Sequence, residues 1–553
     1  MLESMTQIPT CLATEDFDID ALNAAINAST TMPALLQDSA TKGPTSDRLP
    51  QTGDNPTDGT KKSEDSVCRH WFTHLEVPGT HHELPDRASR ATVVDERYRQ
   101  NLSERLQYRV PSDPLPSTDF LNMCIQMYFA RFNPIFPVVH APTFRPSTEN
   151  ALLLLSICSV GSLFLGSRNG IACGTRIFET LNKAILASWE SYITKAEPEI
   201  RSMSQAALIG QVFGYLSGWV RTNRVLRSHQ STHEIEREKI ECDPEEAWTN
   251  WAVKEEQRRL TAGLVILDSE ISDLFSSEPC MRRQSLKSSI SDDELWTAPT
   301  AADWSRSLTR QQSAHMHGNT MVKQNNFREY FSLEEIGGSV CDARTSDDSR
   351  ALQSLQNVLE EFYCNNIAHR GSSASPDIFC LRALWHVTFL STLVDFDRLE
   401  LVVGREGHKE SQRHVSFART WANSPDGCRC AVHAAMAFRC LESLPMAREP
   451  PIHTPRCLHR AILVLYCYLQ FRVISDRIDV TQQPLNFSEL KDAGVNCEKL
   501  LAEINGPSMW GTKPMHSSML CHFIDLLRRL GHWGLARQQA AMWEVIVYGL
   551  SPS

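Results

Sequence analysis

The sequence predicts an all-α protein, a large multi-helix domain behind a disordered acidic N-terminal tail. Three observations carry that expectation. Apolar residues recur at three- and four-residue spacing through most of the chain beyond residue 95. Strand-like alternation is scarce. Met32–Lys62 is built from Pro, Gly, Thr, Ser, Asp and Asn with almost no apolar periodicity, so it buries too little to offset its ordering entropy.

Residues 1–95 are therefore assigned to the tail. Within it, Phe17, Ile19, Leu22 and Ile26 are set among Glu15, Asp16, Asp18 and Asp20. Acidic–hydrophobic mixing of this kind marks disordered activation segments, with a frayed helix as the alternative. The folded domain is expected over 96–545. Ser117 is a helix start signal, followed by Phe120, Met123, Cys124, Met127 and Tyr128 at helical spacing. That helix must end at Asn133-Pro134, since proline disfavours helix in the residue before it. A loop with prolines at 134, 137 and 142 follows, and then helices at about 149–166, 171–194 and 203–219.

The helix at about 245–275 is the most regular. Val253, Leu260, Leu267 and Leu274 recur every seven residues, with Leu264 and Ile271 between them. Such a seam suits a partner helix, either inside the fold or on a second chain. Val253, Leu260, Leu264, Leu267, Ile271 and Leu274 are thus a candidate homodimer seam, with intramolecular core as the competing reading. Residues 305–348 carry Ser, Gln, Asn, His and Gly and are expected to form a long polar surface loop. Helices are expected again at 350–370, 376–400, 412–422, 428–444, 455–474, 516–530 and 533–549.

Composition narrows the function. The chain has 553 residues and a net charge of −11, from 55 Lys+Arg against 66 Asp+Glu, so bulk electrostatics does not make it a nucleic-acid binder. The start is acidic and has neither the basic nor the apolar region of a secretory signal. The longest apolar run, Ala151–Gly166, is interrupted by Ser156, Ser159 and Ser162 and falls short of the roughly 18 residues of a spanning helix. No membrane partner is expected. The 17 cysteines are scattered, as befits small core hydrophobes in a reducing compartment.

Enzyme motifs are missing: there is no G-x-G-x-x-G, Walker A, H-E-x-x-H or G-x-S-x-G. Asp292-Asp293-Glu294 and Asp395-Phe396-Asp397 lack the further acids that would place Mg²⁺ on one helical face, and they read as solvated helix-end charges. No C-x-x-C occurs anywhere. His70 and His74 have finger-like spacing, but a finger of standard length would need cysteines where Asp54 and Thr57 stand. Cys428, Cys430 and His433 read better as core. The expectation is no catalytic residue, no metal ligand set and no visible cofactor. Basic pairs such as Arg258-Arg259, Arg282-Arg283 and Arg528-Arg529 read as solvated helix faces, and no strong nuclear-import run is present.

The segment from Tyr128 to Phe144, with Asn133, Pro134, Phe136, Pro137, His140 and Phe144, resembles the opening signature of the fungus-specific transcription factor regulatory domain (the middle homology region). Trp248, Trp251, Glu255, Arg258 and Arg259 resemble that family's Trp/Glu/Arg-Arg helix, which also carries Asp268. Leu295-Trp296, Ala298 and Trp304, and then Leu527–Ala536, are similar to the subgroup that usually carries two-Cys, two-His zinc fingers. The resemblance runs from about 95 to 545 and implies a nuclear regulator of RNA polymerase II genes, for instance of a secondary-metabolite pathway. It implies promoter DNA, reached directly or through a partner transcription factor, and coactivators as partners.

The signature residues are expected to maintain the fold rather than bind a ligand. Zinc is expected for the family, but no ligand set for it is found here. Three accounts of the missing module stand side by side: a truncated gene model, recruitment through a partner, and loss of the module. The rival readings of function are a metal-dependent all-α enzyme of terpene-cyclase type and a cytosolic helical scaffold.

Overall fold

A computed structural model describes residues 56–73, 116–146, 150–192, 197–218, 243–281, 290–316, 326–368, 377–445, 448–473, 487–492, 494–505, 514–530 and 532–548. Among them every regular element is helical and none is a strand. The acidic segment at 13–26 and the basic pair Arg282-Arg283 lie outside the described residues.

The chain divides into two compact units. In the first, α2 (Thr118–Met127), α3 (Ala151–Ser162) and α4 (Arg168–Tyr192) pack in succession, joined by the start of α5 (Glu197–Ser217). Ser117 opens α2 as expected, its hydroxyl accepting from the Phe120 N–H. All twelve residues of α3 are buried, which is why its sequence lacks an amphipathic stripe. Its serines satisfy themselves: Ser156 Oγ donates to the carbonyls of Leu152 and Ala206, and Ser159 Oγ to that of Leu155. Gly161 lets α3 approach α2 closely, because a Cβ there would stand 1.9 Å from the Cys124 carbonyl oxygen.

The second unit is larger. It contains α6 (Pro244–Leu274), α7 (Asp293–Trp296), α8 (Ala301–Met316), α9 (Asn326–Thr345), α10 (Ser349–Phe362), α11 (Leu381–Leu393), α12 (Phe396–Val402), α13 (His408–Ala422), α14 (Pro425–Glu442) and α15 (Thr454–Phe471). The short α16 (Ser488–Asp492) and α17 (Cys497–Asn505) follow, then α18 (Pro514–Arg529) and α19 (Gly534–Tyr548). Its centre is α15, which packs against α11, α12, α13, α14, α18 and α19. Nearly every α15 residue is buried, including Arg456, His459 and Arg460.

Three expectations are corrected. The tail does not run unbroken to residue 95: Pro56–Arg69 forms a helix, α1, within the second unit, and Val67, Trp71 and Phe72 are buried. Three apolar residues in six positions are too few to stand out from the polar sequence around them. The polar loop at 305–348 is mostly helix, α8 and α9, because Trp304, Phe327, Tyr330, Phe331, Leu333 and Val340 bury one face of each. The predicted helix 376–400 is two, broken at Val394 and restarted where Asp395 Oδ1 accepts from the Arg398 N–H. The seam on α6 fits the intramolecular-core reading weighed beside the dimer. Leu260, Leu264, Leu267 and Leu274 are buried where α6 packs on α9, while Val253 and Ile271 are half-buried.

Candidate functional site

The signature residues that are far apart in sequence converge on the N-terminal half of α6. A short π turn, Tyr128–Phe132, leads into the proline loop, where Phe136 N–H donates to the Phe132 carbonyl. Asn133, Phe136, Pro137 and Phe144 are buried, and Pro134 is exposed at the turn. Phe132 packs on Phe136 and Phe129 on Phe144, with ring centroids 5.8 and 5.3 Å apart. The loop delivers His140, fully buried, whose backbone N–H donates to Glu256 Oε1 at 2.8 Å and whose carbonyl accepts from Phe144 N–H.

The His140 ring is caged by three tryptophans, its centroid 5.7 Å from Trp248, 6.0 Å from Trp251 and 4.8 Å from Trp296. Trp248, Leu295, Ala298, Ala301 and Trp304 close an apolar cluster around it. Burial, seconded by the nearby Arg259 charge, lowers the His140 pKa to about 4, so the imidazole is neutral in this cage. Its Nδ1 lies 2.8 Å from Thr143 Oγ1.

Beneath the cage, Glu255 and Arg259 form a fully buried ion pair at 3.0 Å. Glu255 also accepts from the backbone and hydroxyl of Ser291 and from Arg258. The Arg259 guanidinium lies 4.1 Å from the Trp296 ring centroid, donates to the Ser291 carbonyl and faces Asp293 at 3.7 Å. Burial pulls the Arg259 pKa down against the pull of Glu255 and Asp293. Arg259 is therefore not a solvated face, and Asp293 is not a free helix-end charge: the two staple α6 to the start of α7. A planar guanidinium is needed for this combined stacking and pairing.

A second polar cluster, not anticipated, occupies the C-terminal half of α6, while Asp268 on the same helix accepts instead from the backbone N–H groups of Cys280 and Met281. Arg456 donates from Nε to Glu270 Oε2 at 2.9 Å, also pairs with Asp273, and faces Glu334 at 3.7 Å. Tyr215 Oη donates to the same Glu270 carboxylate at 2.8 Å. Burial pushes Glu334 well above the ordinary carboxylate range, and the Glu270 charge beside it adds to the effect. Glu270 is the ionised partner, since Arg456 and the proton of Glu334 outweigh its own desolvation. Further along α15, Arg460 and Arg405 each reach Glu400 at 2.7 Å. His459 Nδ1 accepts from Trp543 Nε1 at 3.2 Å, which assigns its Nε2–H to Glu400, 3.4 Å away. The sequence signal was there: Arg456, His459 and Arg460 lie three and four apart inside an apolar run, as Glu270 and Asp273 do on α6.

A third cluster pairs His386 with His433, Nδ1 to Nδ1 at 3.0 Å, and His433 with Glu489. These histidines bear on the zinc question. His433 is committed to His386 and Glu489, and burial pushes the Cys430 thiol far up, so Cys428, Cys430 and His433 do not fit a zinc site. His70 Nδ1 bonds the Ser66 carbonyl within its own helix, and His74 lies outside the described residues. No group of three or more His, Cys, Asp or Glu among the described residues could hold a metal ion. No helix among the described residues is long and apolar enough to cross a membrane.

Residues 125–363 match the family model of the fungal specific transcription factor domain. That span holds the proline loop, the His140 cage and the Glu255–Arg259 pair. Three curated relatives are similar. A transcription factor of Gibberella fujikuroi is 22% identical over 64% of this chain and 49% of its own length. The nicotinate catabolism cluster-specific transcription factor of Emericella nidulans is 28% identical over 36% of this chain and 24% of its own length. The zinc finger protein klf1 of Schizosaccharomyces pombe is 23% identical over 40% of this chain and 29% of its own length. The chain thus spans at most about half the length of these relatives. No solved structure matches it.

Proposed function

We propose that the chain is a fungal transcription regulator that acts on RNA polymerase II genes in the nucleus, with the helical units transmitting signals between protein partners. The observation that carries this reading is the match of residues 125–363 to the fungal specific transcription factor domain, over the same residues whose side chains assemble the His140 cage. The names of two of the relatives, both transcription factors, point the same way and away from enzymes, and the Emericella protein's name supports a specialised pathway as the target.

The geometry supports a partner-binding and structural role for the domain rather than direct DNA reading. Arg259, Arg456 and Arg460 are buried in ion pairs within the fold, not displayed toward phosphates. The described residues offer no zinc ligand set. Promoter contact is therefore assigned to a partner transcription factor, or to sequence beyond that given, and coactivator contact to the acidic N-terminal segment. The test is chromatin immunoprecipitation of the tagged full-length protein in its own host. Enrichment at discrete promoters is expected; an abundant protein with no enrichment under inducing conditions would overturn the reading in favour of a helical scaffold.

A further inference from the structure

Helix α1 is held in the second unit by an arrangement that reads its charge. The connection from α12 to α13 turns through Gly404 and Gly407, at φ +105° and +80°. Gly407 is the N-cap of α13 and has no side chain with which to cap it. Asp65 supplies the cap instead, its Oδ1 accepting from the His408 backbone N–H at 3.0 Å, from 343 positions away in sequence. Glu64 adds a hydrogen bond with His408 Nδ1 and accepts from Ser411 Oγ at 3.1 Å. A helix N-terminus favours a carboxylate through its orphan N–H groups and its dipole, and here two carboxylates are seated on one.

The aromatic end of the segment is received separately. Trp71 and Phe72 are buried with their rings 6.2 and 4.9 Å from the His459 ring, on the side chain that Glu400 and Trp543 hold in place. Gly404 lets the helix lie close, since a Cβ there would stand 3.2 Å from Glu64 Cα. The groove therefore reads two features seven residues apart, Glu64-Asp65 and Trp71-Phe72. Between them only Val67 adds a buried apolar side chain, and at 14 residues the helix is too short to be stable on its own.

We propose that this groove, the N-terminus of α13 with His408 and Ser411 and the aromatic slot over His459, is a docking site whose occupant is the α1 segment of this chain, held exchangeably as a latch rather than as an integral core helix. The proposal goes beyond the regulator reading and stands or falls independently of promoter binding. The site selects a helix with paired carboxylates followed by paired aromatics, and α1 folds as it docks.

The test uses the full-length protein and a fluorescently labelled peptide spanning residues 56–73. The wild type, its groove filled in cis, should bind the peptide at least tenfold more weakly than the Trp71→Ala/Phe72→Ala variant, and adding His408→Ala to that variant, which removes the imidazole facing Glu64 but keeps the backbone N–H that Asp65 caps, should weaken capture severalfold. A variant that keeps its helical circular dichroism yet binds no better than wild type overturns the proposal. Should the aromatic variant fail to fold, Glu64→Gln/Asp65→Asn is read by hydrogen exchange. Selective loss of protection at residues 408–411, restored by the peptide, supports the latch; unchanged protection, or loss throughout α15, overturns it.

Discussion

Arg456 gives the fully buried Glu270 carboxylate two hydrogen bonds, from Nε and from Nη2, across 186 residues of sequence. This contact ties α6, near the start of the second unit, to α15 at its centre. Water reaches neither group, so their charges are stabilised only by each other and by Tyr215, Asp273 and Glu334. A buried network of this kind is not evidence of high stability, because desolvation consumes much of the Coulomb gain. It does make the packing of α6 on α15 particular, since any other register would strand a charge.

Removing one partner should therefore cost far more than removing both. Arg456→Met leaves Glu270 ionised and buried, and is expected to destabilise the second unit by about 3–5 kcal/mol. Arg456→Met combined with Glu270→Met should recover a good part of that loss, although Tyr215 then keeps an unpaired hydroxyl. Urea denaturation of the wild type, both single variants and the double variant closes the cycle. Additive losses would show that the two charges are independent.

Acid should destabilise the fold earlier than carboxylate protonation alone predicts. His140 and His453 have pKa values lowered to about 4 and about 3, and His386, His433 and His459 are also lowered, in each case chiefly by burial. The folded state keeps these rings neutral while the unfolded chain takes up protons below about pH 6.5, so stability falls as pH drops through that window. His140 and His453 should each contribute a loss of about 1.5 kcal/mol between pH 6.5 and 5.

Glu334, Asp293 and Glu449, whose pKa values are raised chiefly by burial, work in the opposite direction, losing stability as pH rises above the ordinary carboxylate range, but these three carboxyls face five histidines. A second loss follows between about pH 4.5 and 2. There the unfolded chain protonates Glu400 and Glu489 while the folded state keeps them ionised, both held near 2 by their arginine and histidine partners in spite of burial. Thermal melting at pH 7.5, 6.5, 5.5 and 5 should show the decline already under way at 5.5. A flat profile to pH 5 would contradict the neutral, buried histidines.

The helices were legible in the sequence to the extent that one residue's neighbours reveal its burial, whereas the convergence of the signature on His140 was not. Trp248, Trp251 and Glu255 declared a helix face by spacing, and the loop by its prolines. The partners across the fold were not legible. Nothing in Arg456 names Glu270, and His140 carries no mark of its tryptophan cage, because long-range contacts leave no local period. The errors have a common cause. Residues 56–73 and 326–345 have sparse or broadly distributed apolar positions among polar ones, and their burial depends on surfaces supplied by α13, α15 and α6. The spacing of Glu255 and Arg259 allows their pairing, but Arg259 read as solvated because spacing does not show that Ser291 and Trp296 enclose it.

Gly161 offers a sharp test of the first unit. Gly→Ala within a helix ordinarily gains up to about 1 kcal/mol. At Gly161 the new Cβ would meet the Cys124 carbonyl oxygen at 1.9 Å, a backbone atom that can yield only if α2 and α3 move apart. Steric cost should win, with a net loss of about 1–3 kcal/mol or more. Gly210→Ala is the control: it lies on α5 in the same unit, where a Cβ meets only the side chains of Leu181 and Phe178 at 3.8 and 3.9 Å. It should be neutral or slightly stabilising by thermal melting, and equal effects at both positions would refute the close approach of α2 to α3.

The seven-residue seam on α6 separates an oligomer from a core. If it joined two chains, Leu264→Asp and Ile271→Asp would each split a dimer and leave the helices intact. Leu264 is instead buried within a single chain, while Ile271 is half-buried. Leu264→Asp would place a carboxylate in that interior without a partner. The expected result is a loss of about 3–5 kcal/mol, with cooperative unfolding weakened and circular dichroism diminished. Ile271→Asp should cost distinctly less, because its charge can reach water. Light scattering alongside the melts decides the matter: a halved mass with helicity retained in the Leu264 variant would return the seam to an interface between chains, whereas an unchanged mass with lost stability assigns it to the packing of α6 on α9.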